Sequence, residues 1–204
     1  MNTTLLTRNE TPVDQFWVKS AFKNRYNITT FNYNSNLKST IIKSNNNIKK
    51  CQHTIDGYDD SRSAILNASQ HLNSSYPGTN GKIIRDYIMC KHANSLYFVG
   101  KFNNSNNTRL HISGNISWII ELYVDLFDNK TKEYPIYMYC YNMSYNKNKY
   151  LLNKGGCWCQ LINNNNNFSW KRILRPPKPI GNYIGLGSEE CELDNYIEDE
   201  INIL

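Results

Sequence analysis

The sequence predicts a single domain of helices and strands with long glycosylated loops, and disulfide bonds staple the fold. Three observations lead to this prediction. The chain has 204 residues, enough to bury a sizeable core. Only 40% of the residues are hydrophobic, while Asn occurs 32 times. The six cysteines, an even number in a polar chain, are typical of a disulfide framework in an oxidising compartment.

The first third of the chain predicts one strand and one helix. Residues 1–50 are polar and lack cysteine, and the apolar alternation over 28–33 indicates a strand. Asp59 and Asp60 then precede a stretch rich in apolar residues, and acidic residues at a helix start interact favourably with the helix dipole. These features predict a helix over 59–73.

The middle of the chain predicts a hairpin and a second helix. Two runs rich in Ile, Tyr, Phe and Val, 83–90 and 96–102, are separated by a short segment and are typical of a β-hairpin. The apolar segment 116–127 fits a buried helix or a strand by periodicity, and its length favours a helix.

The last third predicts short strands, an extended segment and an acidic tail. A weak alternation over 134–141 and a short apolar run over 159–162 indicate strands. Three prolines exclude a helix over 175–181, because each proline restricts the residue before it. Seven Asp and Glu residues make 188–200 an acidic tail that we expect on the surface.

Glycosylation is predicted from the placement of the asparagines. Eleven satisfy Asn-x-Ser/Thr with x other than Pro, and each accepts a surface glycan if the chain enters the secretory pathway. An AT-rich genome would create some of these sequons by chance, so their number alone does not decide the compartment. The eleven acceptors are Asn2, Asn9, Asn27, Asn67, Asn73, Asn103, Asn106, Asn115, Asn129, Asn142 and Asn167.

The cysteines support an oxidising compartment independently. A structural zinc site needs two or more residues between paired ligands and a second matching pair. The closest pair, Cys157 and Cys159, has one residue between its members, and the histidines are not at ligand spacing. We therefore predict no metal and no cofactor. The cysteines expected in disulfides are Cys51, Cys90, Cys140, Cys157, Cys159 and Cys191.

Several functional classes find little support in the sequence. No run reaches the roughly 18 apolar residues of a membrane span, and the charge of +6 is scattered, unlike the basic and aromatic platforms that bind nucleic acid. No signal peptide is visible, so either the protein is cytosolic or a cleaved signal precedes residue 1. Neither a Gly-rich phosphate loop nor a Gly-x-Ser-x-Gly elbow is present. We predict a secreted or ectodomain glycoprotein that is not an enzyme.

Two tracts of the sequence resemble a known viral family. A sequon that ends on Trp, 167–170, is followed by Arg-Pro-Pro-Lys-Pro-Ile-Gly at 175–181. Tyr-Ile-Met-Cys at 87–90 is followed by a strand-like run and the sequon of Asn103. Together these tracts resemble the receptor-binding subunit of the arenavirus envelope spike. The resemblance covers roughly 51–187. It implies an α+β fold, in which an antiparallel β-sheet carries two main helices and long glycosylated loops.

The resemblance also implies a pattern of disulfides. The family has a disulfide that spans a helix at close to the separation of Cys51 and Cys90, which implies this pair. The family's N-terminal Cys and its partner after the Trp are both missing here, as a deleted disulfide would leave them. The four other cysteines depart from the family's spacing. For them we expect Cys140 to pair with Cys157 or Cys159, and the remaining one to pair with Cys191.

The implied function is attachment of the virion to a host-cell receptor and capping of the fusion subunit before entry. Residues 51–187 would form the core receptor-binding domain, 1–50 would pack on it, and 188–204 would be the acidic tail before the fusion-subunit junction. The implied partners are a host receptor, as a protein or its glycans, and the membrane fusion subunit, in a trimeric spike without nucleic acid. The implied location is the virion membrane surface, reached through the host secretory pathway. The receptor-binding residues cannot be read from the sequence.

A competing hypothesis is a secreted, disulfide-bonded glycoprotein that acts as a decoy for a host cytokine or small ligand. AT-rich large DNA viruses and blood-feeding parasites make β-rich glycoproteins of this kind. The reading frame discriminates between the two hypotheses. A spike subunit must be followed by a fusion peptide, heptad repeats and a transmembrane helix, whereas a decoy would stop near Leu204.

Overall fold

A nine-stranded mixed β-sheet forms the centre of the protein in a computed structural model. The structure describes residues 3–36, 39–44, 47–52, 55–76, 80–102, 112, 115–126, 133–141, 156–164, 167–188, 191 and 195–202. The strands are β1 (Thr4–Thr7), β2 (Asn27–Asn34), β3 (Ser39–Ser44), β4 (Asn47–Gln52), β5 (Ser95–Gly100), β6 (Glu133–Cys140), β7 (Cys157–Asn164), β8 (Asn167–Ile173) and β9 (Asn182–Gly187). The helices are α1 (Pro12–Lys23), α2 (Ile55–Leu72), α3 (Asn80–Lys91), α4 (Ile116–Asp125) and α5 (Asn195–Asn202).

The strand order is β4-β3-β2-β1-β9-β5-β6-β7-β8. The five central strands, from β2 to β6 in this order, are parallel to one another, and an antiparallel pair extends the sheet at each side. All six residues of β5 are buried. Burial of this kind is typical of parallel strands that have helices on both faces, and such strands read as continuous apolar runs.

Two hydrophobic cores lie on opposite faces of the sheet. On one face, α1 and α5 cover β5 and β9, with Trp17 and Ile197 among the buried side chains. On the other face, α2, α3 and α4 form the second core, which includes Ile119. Successive residues of β5 alternate between the two cores, so that Tyr97 belongs to the first and Phe98 to the second.

Several predicted elements are confirmed. The strand predicted over 28–33 is β2, and the helix predicted over 59–73 corresponds to the C-terminal part of α2. The segment 116–127 forms α4, and 134–141 corresponds to β6. The segment 175–181 is extended, as its prolines require.

The strand predicted over 83–90 is wrong, because this segment lies in α3. Its buried apolar residues include Ile83, Ile84 and Tyr87, a spacing that places them on one face of a helix. The β-branched and aromatic residues of the run suggested a strand. The segment is a helix because this conformation packs the apolar face against the second core.

The fold class is correct only as a mixture of helices and strands. The sheet is partly parallel, not antiparallel, and the described residues form five helices instead of two main ones. Residues 1–50, predicted to be a polar segment packed on the domain, supply β1, β2 and β3 and most of β4 to the same sheet.

The predicted disulfide framework is contradicted for the cysteines whose side chains the structure describes. Cys90, Cys140, Cys157, Cys159 and Cys191 are buried, and none of them forms a disulfide bond. The implied bond between Cys51 and Cys90 is therefore not formed, although the side chain of Cys51 lies outside the described residues. The Sγ atoms of Cys157 and Cys159 are 3.9 Å apart, whereas a disulfide bond is about 2.0 Å long. These thiols fill the apolar core as small hydrophobic groups.

Candidate functional site

The topology of the central strands marks one edge of the sheet as a candidate site. The crossover from β1 through α1 leads to β2 on one side, while the crossover from β5 through α4 leads to β6 on the other. β9 lies between β1 and β5 and is parallel to both. In open α/β sheets, ligands bind outside the carboxyl ends of the strands where the connections diverge. This point falls at the carboxyl ends of β1, β9 and β5.

The loop from β1 to α1 lies at this edge and is held by a capping box. Thr11 is the N-cap of α1, and its side chain accepts a hydrogen bond from the Asp14 backbone N–H at 3.1 Å. The Asp14 carboxylate in turn accepts from the backbone N–H of Thr11 at 3.1 Å. Pro12 occupies the first helical position, where its missing N–H removes no hydrogen bond. The loop geometry is thus set by local sequence.

Asp14 also connects this loop to β9. Its Oδ1 accepts from the backbone N–H of Gly187 at 3.0 Å, and its Oδ2 accepts from that of Glu10 at 3.0 Å. Helix α1 approaches β9 so closely that a Cβ at Gly187 would lie 2.1 Å from the Cβ of Val13. A glycine is therefore required where α1 begins beside β9.

A second pair of charges reaches the same edge from α3. The Arg85 Nε donates to Asp86 Oδ1 at 2.9 Å, and its guanidinium also forms an ion pair with Glu10 of the β1–α1 loop. Arg85 and Asp86 are both 0% exposed, while the Glu10 side chain is 35% exposed. Tyr76 donates to the other oxygen of Asp86 at 3.4 Å. The network joins the helices on the two faces of the sheet.

Arg8, one residue after β1, sits between the two buried carboxylates. Its guanidinium lies 3.9 Å from Asp14 and 3.9 Å from Asp86, and its side chain is 2% exposed. Both distances exceed hydrogen-bond length. Its Nε atom has no hydrogen-bond partner within the described part of the chain. A buried, charged donor without such a partner is costly and marks a position where a further acceptor would be favourable.

The charges of this network shift its titration. Burial alone would raise the pKa of Glu10, but Arg85, Arg8 and Lys82 together hold it below its usual value. Burial raises the pKa of Tyr76, and the Asp86 carboxylate raises it further. Glu10 is therefore an anion at neutral pH and Tyr76 is a neutral donor.

Helix α4 also begins at the carboxyl edge, because it follows β5 and must return the chain to the start of the parallel strand β6. Ile112, three residues before its N-cap Asn115, lies in contact distance of the Cβ position at Gly100, which ends β5. The Asn115 side chain makes no capping hydrogen bond to the first turn of the helix. Helix N-termini favour anions because of their backbone N–H groups and the helix dipole.

The glycosylation acceptors that the structure describes lie at the surface. Asn9, Asn27, Asn73 and Asn167 are exposed, and Asn67 and Asn115 are half-exposed. Asn2, Asn103, Asn106, Asn129 and Asn142 lie outside the described residues. Asn9 lies two residues after the end of β1, in the left-handed region at φ 57°.

The two histidines that the structure describes, His71 and His92, take no part in the candidate site. The Nδ1 of His71 lies 3.0 Å from Glu121 Oε2. Burial and the nearby Lys49 and Lys91 lower the pKa of His92. His53 and His111 lie outside the described residues.

The sequence analysis did not find the residues that the structure brings together here, namely Arg8, Glu10, Asp14, Arg85 and Asp86. One signal was present: apolar Leu5 and Leu6 followed by Thr11, Pro12 and Asp14 indicate a strand that leads into a capped helix. The partnership with Arg85, 75 residues from Glu10 along the chain, has no local signature.

The fold belongs to the mixed α/β class, with helices on both faces of the sheet and a topological switch point at the carboxyl ends of β1, β9 and β5. Comparison of the chain with models of protein families, with curated proteins and with solved structures finds no match. None of the described helices is long and apolar enough to cross a membrane. Within the described residues, no group of three or more His, Cys, Asp or Glu side chains is arranged to hold a metal ion.

Proposed function

We propose that the protein is a ligand-binding domain that holds a small anionic molecule outside the carboxyl ends of β1, β9 and β5. The observation that carries this proposal is the buried Arg8 guanidinium at the switch point, whose Nε has no hydrogen-bond partner in the described part of the chain. A phosphate or carboxylate matches the planar donor arrangement of arginine. The N-terminus of α4 adds a second anion-attracting element at this edge.

We propose binding without catalysis, as the sequence predicts. The buried charged side chains of the site pair with one another: Arg85 with Asp86 and Glu10, and Arg8 with Asp14 and Asp86. This arrangement supports a pre-organised recognition site. The five buried cysteines without disulfide bonds favour a reducing compartment for such a domain, because disulfides form in oxidising ones.

The Asn115→Asp variant tests this proposal without disturbing the fold. A carboxylate at the N-cap is favourable for α4 but repels an anionic ligand. We expect the variant to keep or slightly raise the melting temperature and to bind inorganic phosphate and ribose 5-phosphate about tenfold more weakly, a loss of about 1.4 kcal/mol. Calorimetric titration measures the affinity. Asn73→Asp, an exposed position at the end of α2, is the matched control.

Two results would contradict the proposal. One is that the wild-type protein binds neither probe at millimolar concentration. The other is that Asn115→Asp and Asn73→Asp weaken binding equally, which would reflect a general charge effect instead of a site.

The attachment function implied by the arenavirus resemblance is a second proposal. The specific observation in its favour is that none of the six described sequon asparagines is buried, so each is accessible to glycan transfer. The absence of disulfide bonds at the five buried cysteines that the structure describes weighs against it. For the decoy hypothesis too, the accessible sequons are in favour and the cysteines without disulfide bonds are against.

Expression through a eukaryotic secretory pathway separates these proposals from the first. Glycan attachment at Asn27 and Asn167, together with disulfides in a non-reducing peptide map, would support a secreted protein. The opposite result has two parts: the secreted product is misfolded or unglycosylated, and the protein made in the cytosol has thiols that react only after unfolding. Together these results would support the intracellular ligand-binding domain.

A further inference from the structure

A cavity lies at the amino edge of the sheet, opposite the switch point, where α1 ends and β2 begins. It has a volume of about 520 Å³ and is lined by Phe22, Lys23, Arg25, Tyr26 and Asn27. This volume is in the range of small-molecule sites. The cavity is separate from the switch point, because β1 and β2 start here and end at the other edge.

The backbone at Arg25 is unusual for its residue type. The N–H of Arg25 donates to the Phe22 carbonyl at 3.1 Å, and the N–H of Tyr26 donates to the Ala21 carbonyl at 2.9 Å. These two bonds form a Schellman motif that ends α1, with Arg25 at φ 59° in the position where glycine is preferred. A side chain with a Cβ costs free energy in this region. A cation is thus placed at the cavity despite a conformational cost.

An aromatic surface lies next to this cation. Phe22 is 80% exposed, which is unusual for a large apolar side chain. Tyr26 is held in place by an edge-on contact with Tyr183, at a centroid distance of 6.2 Å and an interplanar angle of 83°. Exposed aromatic rings beside cations are the features on which bases stack while phosphates are neutralised.

The charge of the cavity specifies the sign of its ligand. Among the described residues, its lining includes two cations, Lys23 and Arg25, and no Asp or Glu. We propose that this cavity binds a nucleoside phosphate, with the base against the Phe22 ring and the phosphate on Arg25 and Lys23. The proposal is independent of the anion site at the switch point, since the two share no residue.

The Arg25→Gly variant tests the proposal because stability and binding should change in opposite directions. Glycine relieves the left-handed backbone, so the melting temperature should rise, while loss of the guanidinium should weaken AMP binding about tenfold. Phe22→Ala should also weaken AMP binding by about tenfold through loss of stacking. Calorimetry and NMR titration with AMP, adenosine and inorganic phosphate measure the effects, and AMP should bind more tightly than either fragment.

Matched controls come from the chain itself. Asn73 occupies the same Schellman position at the end of α2, at φ 47°, so Asn73→Gly relieves the same backbone without touching the cavity. Leu174 is 88% exposed and lies outside the lining, so Leu174→Ala removes an exposed apolar side chain elsewhere. Both controls should leave AMP affinity unchanged.

Three outcomes would overturn this inference. The first is no measurable AMP binding, and the second is AMP binding that Arg25→Gly and Phe22→Ala leave intact. The third is binding of a single-stranded oligonucleotide without binding of AMP, which would point to a nucleic-acid surface. Loss of phosphate binding in Asn115→Asp with AMP binding retained would show that the switch-point site and this cavity are separate.

Discussion

The two edges of the parallel sheet use arginine in opposite ways. At the carboxyl edge, Arg8 is 2% exposed and lies between the carboxylates of Asp14 and Asp86. At the amino edge, Arg25 is exposed, in a strained backbone conformation, beside an exposed aromatic ring. A buried charge needs partners whose interactions offset the free energy of its desolvation. An exposed charge keeps its hydration and is available to bind a ligand. In our two proposals, the carboxyl edge therefore combines stability with recognition, and the amino edge carries recognition at a cost in stability.

Asp14→Ala, at the carboxyl edge, should lower the free energy of unfolding more than the other substitutions below. The change leaves the buried Arg8 with one carboxylate fewer and removes the acceptor of three backbone N–H groups, those of Glu10, Thr11 and Gly187. Loss of one partner from a buried charge pair costs about 3–5 kcal/mol. Urea unfolding followed by circular dichroism measures the free energy of unfolding. The control is Asp125→Ala, an exposed carboxylate that bonds Asn67, for which we expect less than about 0.5 kcal/mol. Equal losses in both variants would refute the role given to Asp14.

Gly187→Ala should have an intermediate effect on the same edge. The added methyl group would lie 2.1 Å from the Val13 Cβ, so α1 must shift away from β9. Such overpacking costs about 1–3 kcal/mol, measured by the same unfolding experiment. Gly100→Ala is the control at the end of β5, because its new methyl group would lie 3.4 Å from Ile112 and meet nothing closer. A neutral Gly187→Ala variant would mean that α1 does not approach β9 this closely.

Glu10→Gln should have the smallest effect, and it should depend on pH. The folded-state pKa of Glu10 lies below its usual value of 4.5, so its ion pair with Arg85 stabilises the fold above that pH. This contribution is lost as pH falls from about 4.5 through the folded-state pKa. Because the side chain is 35% exposed, we expect less than about 1 kcal/mol at pH 7.

Stability curves between pH 7 and pH 3 measure this difference. Wild-type and Glu10→Gln proteins should converge as the pH falls. Glu133→Gln serves as the control, because Glu133 is 58% exposed and lies 3.5 Å from Lys171 in an exposed pair. If the stability curves of the wild-type and Glu10→Gln proteins ran parallel down to pH 3, this result would contradict the lowered pKa of Glu10.

Local patterns in the sequence determine many of the secondary-structure elements. The apolar density of α4 and the alternation in β2 suffice to locate both, because helix and strand periodicities are properties of short segments. The periodicity of α3 is helical too, but its β-branched and aromatic residues favoured a strand. The capping box of Thr11 and Asp14 can also be recognised from the sequence, because its two residues are only three positions apart.

Only the tertiary structure decides the strand order, the state of the thiols and the site. β9, near the end of the chain, inserts between β1 and β5, and this placement creates the switch point. Cysteine number suggested disulfides, but disulfide formation requires Sγ atoms at bonding distance, which the described cysteines do not reach. Arg8 and Asp86 meet because helices on opposite faces begin at one sheet edge. Sequence patterns report the local conformation of a segment, whereas a site built from distant segments depends on how those segments pack.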